Sequence, residues 1–312
     1  MRAVGLTDFD SGLALLDLPQ PEPAANELLV SVRTSSINPV EVQIGVGAYR
    51  HGEFEFPCVP GMDFAGVVEA VGPGASRFSA GDEVFGHLTK PVYRDGAWAE
   101  YITISQDASV ELKPESLTFE QAGAFPLAAI TAQLGHDGVL PKRGELVLIP
   151  GAGGAVGLYQ VQLAAREGAV VIATAKPFDE ERIRSLGASE TIDYSSQDIA
   201  EAVRGTHPEG VDVLLDLIND RPELERLAEL VKDGGRVASV RYAASRKLGE
   251  RGIAVTNVVA AGNDPEVFTR LVELVKAGEL QVSYDRTCTL EELPGAVGEL
   301  ADGGRGKVVV TI

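Results

Sequence analysis

The segment PGAGGAVG (150–157) sets Gly151, Gly154 and Gly157 at intervals of three, between a short apolar run, GELVLIP (144–150), and a helical stretch, VGLYQVQLAAREGA. Such a turn needs glycine because the backbone bends sharply, must come close to whatever lies over it, and must let the helix pack tightly on the strand. The helix start, at Ala155 and Val156, offers amide hydrogens with no intrahelical partner and the positive end of the helix dipole. Together these make a seat for a pyrophosphate, so a bound dinucleotide is expected. The spacing is not a strict G-x-G-x-x-G, because the sixth residue from Gly151 is Val156. A tight α/β connection would also use these glycines; the strand–helix context on both sides is what points to a dinucleotide.

The residue that ends the second strand, about 20 positions after the glycines, reads the ribose 2′ position. An acid there would bind the 2′-hydroxyl of NAD. Here the strand VVIATA (170–175) ends at Ala175 and is followed by Lys176, while Asp179, Glu180 and Glu181 come later. A lysine pairs with a 2′-phosphate, so NADPH is the expected cofactor and Lys176 its anchor. Arg182 is a second candidate, and Tyr194, closing the third strand, is a candidate donor to the same phosphate.

Metal chemistry finds little support. The four histidines (His51, His87, His136, His207) are scattered, with none at the i, i+4 spacing of a helical ligand pair. Two cysteines, Cys58 and Cys288, cannot make a disulfide framework or a four-cysteine zinc lobe.

These candidates must be held by a scaffold that changes rhythm along the chain. Up to about residue 120 the runs are short and β-like, ELLVSVRTSSI (27–37) and DFAGVVEAVG (63–72), with glycine and proline breaks at Pro57, Pro60, Gly61, Pro73, Gly74 and Gly81. After it, strands and helices alternate: GELVLIP, the glycine turn and its helix, VVIATA, a helix over FDEERIRSLGA, the strand ETIDY, GVDVLLDLI (210–218), a helix over PELERLAELVKDGG and the strand GRVASV. That alternation predicts right-handed βαβ units in a doubly wound parallel sheet. IAVTNVVAA (253–261) is the expected sixth strand, Asn263–Pro265 a helix start, and GKVVVTI a closing strand that returns to the first domain.

The formal net charge of -19, with no basic cluster, argues against nucleic acid and anionic membranes as partners. No run approaches the ~20 apolar residues of a membrane span. The first residues lead straight into a mixed segment, so a cytoplasmic protein is expected.

The order of SINPVEVQIGVGAY (36–49), FPCVPGMDFAGVVEAVGPGASRFSAGDEVFG (56–86), GAWAEYI (96–102), PLAAITAQ (126–133), PGAGGAVG and GKVVV resembles the quinone oxidoreductases of the medium-chain dehydrogenase/reductase superfamily, including the zeta-crystallin type. The resemblance covers essentially the whole chain. It implies an α/β protein: a GroES-like, β-rich catalytic domain built from residues 1–122 and 261–312, and a doubly wound Rossmann cofactor domain over 123–260. It also implies that Asn38 stands where zinc-dependent relatives have a cysteine ligand, and Met62 where they have a histidine. An amide and a thioether are poor zinc ligands, so the catalytic zinc is expected to be lost.

Without a Lewis acid, hydride transfer is easiest to an acceptor that stabilises its own charge, such as a quinone or an activated enone. The family pattern places Asn38, Tyr49 and Thr131 around nicotinamide and substrate, with Asn38 and Tyr49 as the catalytic candidates and Tyr49 as proton donor. It counts Asn38, Thr131 and Ser239, with the glycine turn, among the cofactor contacts. Loop chemistry is the alternative for Asn38 and Tyr49, since Asn-Pro is itself a turn signal. Pro150, the DLIND segment (216–220) and Arg241 depart from the family pattern near the cofactor. His87, beside Gly86, reads as a turn histidine rather than a catalytic acid.

Two other readings stay open: an enoyl-thioester or enone reductase acting on a carbon–carbon double bond, and an NADPH-binding, crystallin-like protein without turnover. A homodimer is expected through IAVTNVVAA, because an apolar sixth strand would leave an uncovered sheet edge.

Overall fold

A computed structural model describes residues 1–259, 262 and 264–312. They form two compact units, Met1–Leu127 with Ala261–Ile312, and Ala128–Ala260.

The first unit is built on a sheet whose strands run, in spatial order, Arg286–Thr289, Val308–Thr311, Glu27–Ile37, Asp63–Val71, Glu83–His87 and Val110–Leu112, with Tyr101–Ser105 also pairing to Glu27–Ile37. Glu27–Ile37 is buried along most of its length, with apolar Leu28, Leu29, Val30, Val32 and Ile37 joined by the small buried polar residues Thr34, Ser35 and Ser36. Two apolar clusters cover the sheet. One gathers Leu28, Val30, Phe64, Val84 and Ile102, the other Val4, Ile37, Trp98, Leu293 and Val310. Val308 pairs with Ile37 in antiparallel register, so Lys307 and Asn38 leave the same end of that ladder together. Asp63 starts its strand opposite His87.

The second unit is a six-stranded parallel sheet in the order Glu190–Asp193, Val170–Ala175, Leu146–Ile149, Val211–Asp216, Val231–Ser239 and Ala254–Asn257. Numbered along the chain this is 3-2-1-4-5-6, the dinucleotide-binding order expected from the alternation. Helices such as Ala155–Arg166 pack on it through buried Leu158, Val161 and Ala164.

Several boundaries differ from the sequence reading. The helix expected over PELERLAELVKDGG ends at Ala228, after starting at Arg221. Val231 already pairs with Val211, and the ladder then skips to Val213 and Arg236, with Gly234 at φ +76° in the irregular stretch. A long-range pairing thus claims residues whose local pattern favours helix. Of IAVTNVVAA only Ala254–Asn257 is strand; Val258 is buried in the sheet's core, and the expectations for Ala260, Ala261 and Asn263 lie outside the described residues. The helices Pro126–Val139, Ile199–Thr206 and Leu293–Ala301 were not separately expected. Among the described residues no helix is long and apolar enough to cross a membrane.

Candidate functional site

The residues singled out from the sequence fall into two sets, one in each unit. In the parallel-sheet unit the glycine turn follows the first strand. Gly151 sits at φ +85°, a region that disfavours side chains, and its N–H donates to the Thr174 hydroxyl at 3.0 Å. Gly154 caps the helix Ala155–Arg166, leaving the first amides of Ala155, Val156 and Gly157 at its open end. A Cβ on Gly157 would lie 2.4 Å from the Gly151 carbonyl oxygen and 2.6 Å from the Ala152 Cα. The turn is therefore closed down to glycine's dimensions, the form a pyrophosphate seat takes.

The neighbouring strands bring the other candidates to the same end of the sheet. Ala175 pairs with Asp193, so Lys176 and Tyr194 follow side by side. Lys176 is half-buried and Tyr194 exposed. Bonds from Ser195 and Ser196 hold the Asp193 carboxyl below its ordinary range, and the Lys176 charge adds to the effect. Asp179 also comes close: its carboxylate oxygen is 3.1 Å from where a Cβ of Gly153 would stand. Ser239 is fully buried at the end of its strand, and its hydroxyl oxygen accepts the amides of Arg241 and Ala243. Thr131 is half-buried on the helix Pro126–Val139.

In the other unit Asn38 caps the short helix Pro39–Gly45 and is almost completely buried. Its amide oxygen accepts from Lys307 Nζ at 2.6 Å, and its amide nitrogen donates to Asp63 Oδ2 at 2.9 Å. Asp63 Oδ2 also takes the Ser36 hydroxyl at 2.6 Å and Lys307 Nζ at 3.1 Å, while Oδ1 takes the Leu127 amide at 2.7 Å. Burial alone would raise the Asp63 carboxyl. The Lys307 ammonium, nearby His87 and the bonds from Ser36 and Asn38 outweigh that and hold it below the ordinary range.

Glu41, one turn along that helix, is fully buried and accepts the amides of Asn38 at 2.5 Å and Met62 at 2.7 Å. Burial, and then the Asp63 charge, push its carboxyl from 4.5 up to about 8. Between those values the native protein holds a proton that the unfolded chain has released, so stability falls as pH rises through that window. Thermal melts should therefore show the melting temperature dropping between pH 5 and pH 8. Glu41→Gln should flatten that slope, and an equal slope in the variant would assign the titration elsewhere.

Tyr49, the expected proton donor, is half-buried and meets Tyr93 edge-on, with ring centroids 6.0 Å apart. Burial first, and then a side-chain bond with Tyr49, raise the Tyr93 hydroxyl. Tyr93 also lines a cleft of about 70 Å³ with Glu41, Met62, His87 and Thr89. His87 Nδ1 and Thr89 Oγ1 are buried there with no hydrogen-bond partner among the described residues. His87 is thus not the turn histidine expected from its sequence. It belongs to the strand Glu83–His87 and is 1% exposed, and that burial pushes its ring below the ordinary histidine range.

Sequence reasoning missed Glu41, Asp63, Tyr93 and Lys307. The only signals were a carboxylate opening a buried strand and a lysine preceding one, and both resemble ordinary surface punctuation.

Residues 24–114 match the family described as "Alcohol dehydrogenase GroES-like domain" and residues 186–310 the family described as "Zinc-binding dehydrogenase". The chain is 30% identical to the quinone oxidoreductase of Mus musculus over 89% of its own length and 86% of that protein's. It is 29% identical to an Arabidopsis thaliana NADPH-dependent alkenal/one oxidoreductase over 91% of the chain and 72% of the relative. A crystal structure of an NAD-dependent alcohol dehydrogenase superposes over the whole of both chains with a TM-score of 0.89 and 28% identity.

The zinc in the second family's description does not fit the donors present here. The amide oxygen of Asn38 is occupied by an ammonium, and Met62 offers only a thioether. Among the described residues no group of three or more histidine, cysteine, aspartate or glutamate side chains could hold a metal ion. The glycine turn, by contrast, suits a dinucleotide. With a curated relative matched along nearly nine-tenths of its length, on a GroES-like and a Rossmann unit, the chain belongs to the quinone oxidoreductase-like branch of the medium-chain dehydrogenase/reductase superfamily.

Proposed function

We propose that this oxidoreductase uses NADPH to reduce a quinone or a similarly activated carbonyl or enone, without zinc, as a cytoplasmic enzyme. The observation that carries the reading is Asn38: an amide held between Asp63 and Lys307 where metal-dependent relatives need a ligand. The bound nicotinamide supplies a hydride. The chain's own groups then have two tasks. The Asn38 N–H steadies the oxygen on which negative charge develops, and Tyr49, backed by Tyr93, delivers the proton that completes a hydroquinone. An acceptor that delocalises its own charge asks no more of the protein than this.

Lys176 and Tyr194, adjacent at their strand ends, support NADPH over NADH. The likeness to an alkenal/one oxidoreductase favours a second reading, reduction of a carbon–carbon double bond with the same hydride. Steady-state oxidation of NADPH against quinones and enones, run with and without a strong chelator, tests these points together. Turnover unaffected by chelation is expected, with the acceptor panel choosing between the two readings. Activity that falls on chelation and returns only with zinc would overturn the metal-free mechanism.

We further propose a homodimer formed through the strand Ala254–Asn257, which ends the parallel sheet. Among the described residues its outer edge has no strand beside it, and Val259 just beyond is 60% exposed. Val258 is buried in one of the sheet's apolar clusters and Val255 packs against the other, so neither serves as a probe of the edge. Light scattering across a dilution series should report a dimer that Ala254→Lys with Val259→Lys dissociates. A dimer insensitive to both would place the contact on another surface.

A further inference from the structure

We propose that Asp63 and Lys307 are positioning residues that fix the Asn38 amide as a hydrogen-bond donor, so that the group it meets in the reaction must be an acceptor oxygen. The proposal rests on Asn38 acting at the reacting centre.

The three side chains form a closed triangle. Lys307 Nζ reaches both Asn38 Oδ1 and Asp63 Oδ2, and Asn38 Nδ2 reaches the same Asp63 oxygen. All three are buried, at 3%, 0% and 5% exposure for Lys307, Asp63 and Asn38. An asparagine amide looks nearly the same turned over, so its orientation is set by its partners. Turned over here, the amide would point its NH₂ at an ammonium and its oxygen at a carboxylate, setting donor against donor and acceptor against acceptor. In a site shielded from water that arrangement is strongly unfavourable.

The locked orientation uses the amide oxygen on Lys307 and one N–H on Asp63. The second N–H has no partner among the described residues. What remains for a ligand is therefore a donor alone. It suits a carbonyl oxygen, and better still the oxyanion formed as hydride arrives, and it gives nothing to a hydroxyl hydrogen. The charges on Asp63 and Lys307 act through Asn38 and need not touch the substrate.

A double-mutant cycle tests this. Asn38→Ala and Lys307→Met are made singly and together, and kcat and KM are measured for NADPH and 1,4-benzoquinone, with circular dichroism to verify the fold. Lys307→Met strands a buried carboxylate, so the pair Asp63→Asn with Lys307→Met, which leaves no charge buried alone, is carried through the same cycle. Loss of one positioned donor should lower kcat about 100-fold in each background, with the KM for NADPH little changed. Adding Asn38→Ala to either charge variant should cost nothing further, because the residues act as one unit. Losses that multiply, or a folded charge variant with full kcat, would overturn the positioning role. Full kcat in Asn38→Ala alone would instead show that Asn38 is not at the reacting centre, and the proposal would fall with that parent reading.

Discussion

Lys176→Glu is expected to reverse the cofactor preference, cutting kcat/KM with NADPH while leaving NADH nearly as good or better. The lysine follows Ala175 at the end of its strand, beside Tyr194 and near the Asp193 carboxylate. An ammonium–phosphate bond contributes roughly 1.5–3 kcal/mol, a factor of about 10 to 150, and a carboxylate in its place adds repulsion. NADH has no 2′-phosphate to repel, and its ribose hydroxyl can donate to the new acid. The Asp179 carboxylate beside the glycine turn is a competing influence, because it offers an acid to a free ribose hydroxyl. Steady-state kinetics with both cofactors decides the matter; an unchanged preference in the variant would remove Lys176 from the phosphate site.

The second large effect belongs to Gly157. Replacing it by alanine puts a methyl group 2.4 Å from a backbone carbonyl oxygen, and neither the turn nor the helix start can yield cheaply. Overpacking of this kind costs about 1–3 kcal/mol of stability. The greater consequence is for binding, because the turn must open and carry its amides away from the phosphates. A displacement of about 1 Å costs on the order of 100-fold in function. Gly154→Ala makes the control: its Cβ would meet only the Gly151 carbonyl, at 3.4 Å, an ordinary contact. Titration of intrinsic fluorescence with NADPH should show Gly157→Ala binding far more weakly than Gly154→Ala. Equal affinities would mean that the close approach at Gly157 plays no part in holding the cofactor.

The parts of this protein that were legible in its sequence are those where one local constraint dominates. VVIATA is a strand from Val170 to Ala175, as its β-branched, mostly apolar run favours, and ELLVSVRTSSI is a strand over Glu27–Ile37. The glycine turn is legible because only glycine fits at positions 151 and 157. What local pattern cannot show is pairing at a distance. VKDGG reads as a helix tail until Val231 finds Val211. Asp63 and Lys307 are separated by 244 positions and carry no mark of each other. Asn38 was reachable only through the family resemblance, and the residues that orient it were not reachable at all.

The strand Val308–Thr311 lies inside its sheet, between Arg286–Thr289 and Glu27–Ile37, and this bears on the order in which the molecule is made. All six strands of the parallel sheet lie between Leu146 and Asn257, so that unit is complete while the last strand is still to be synthesised. Through that interval the Thr34–Ile37 end of Glu27–Ile37 lacks its partner on that side, Tyr101–Ser105 covering only Glu27–Ser31, and an unpaired strand edge is where nascent chains stick to one another. The parallel-sheet unit can thus mature early, while the other unit waits for its closing strand. Asn38 gains its bond to Lys307, 269 positions downstream, only when synthesis reaches that segment. On the proposed mechanism, a half-made chain that captured the dinucleotide could not yet pass on its hydride.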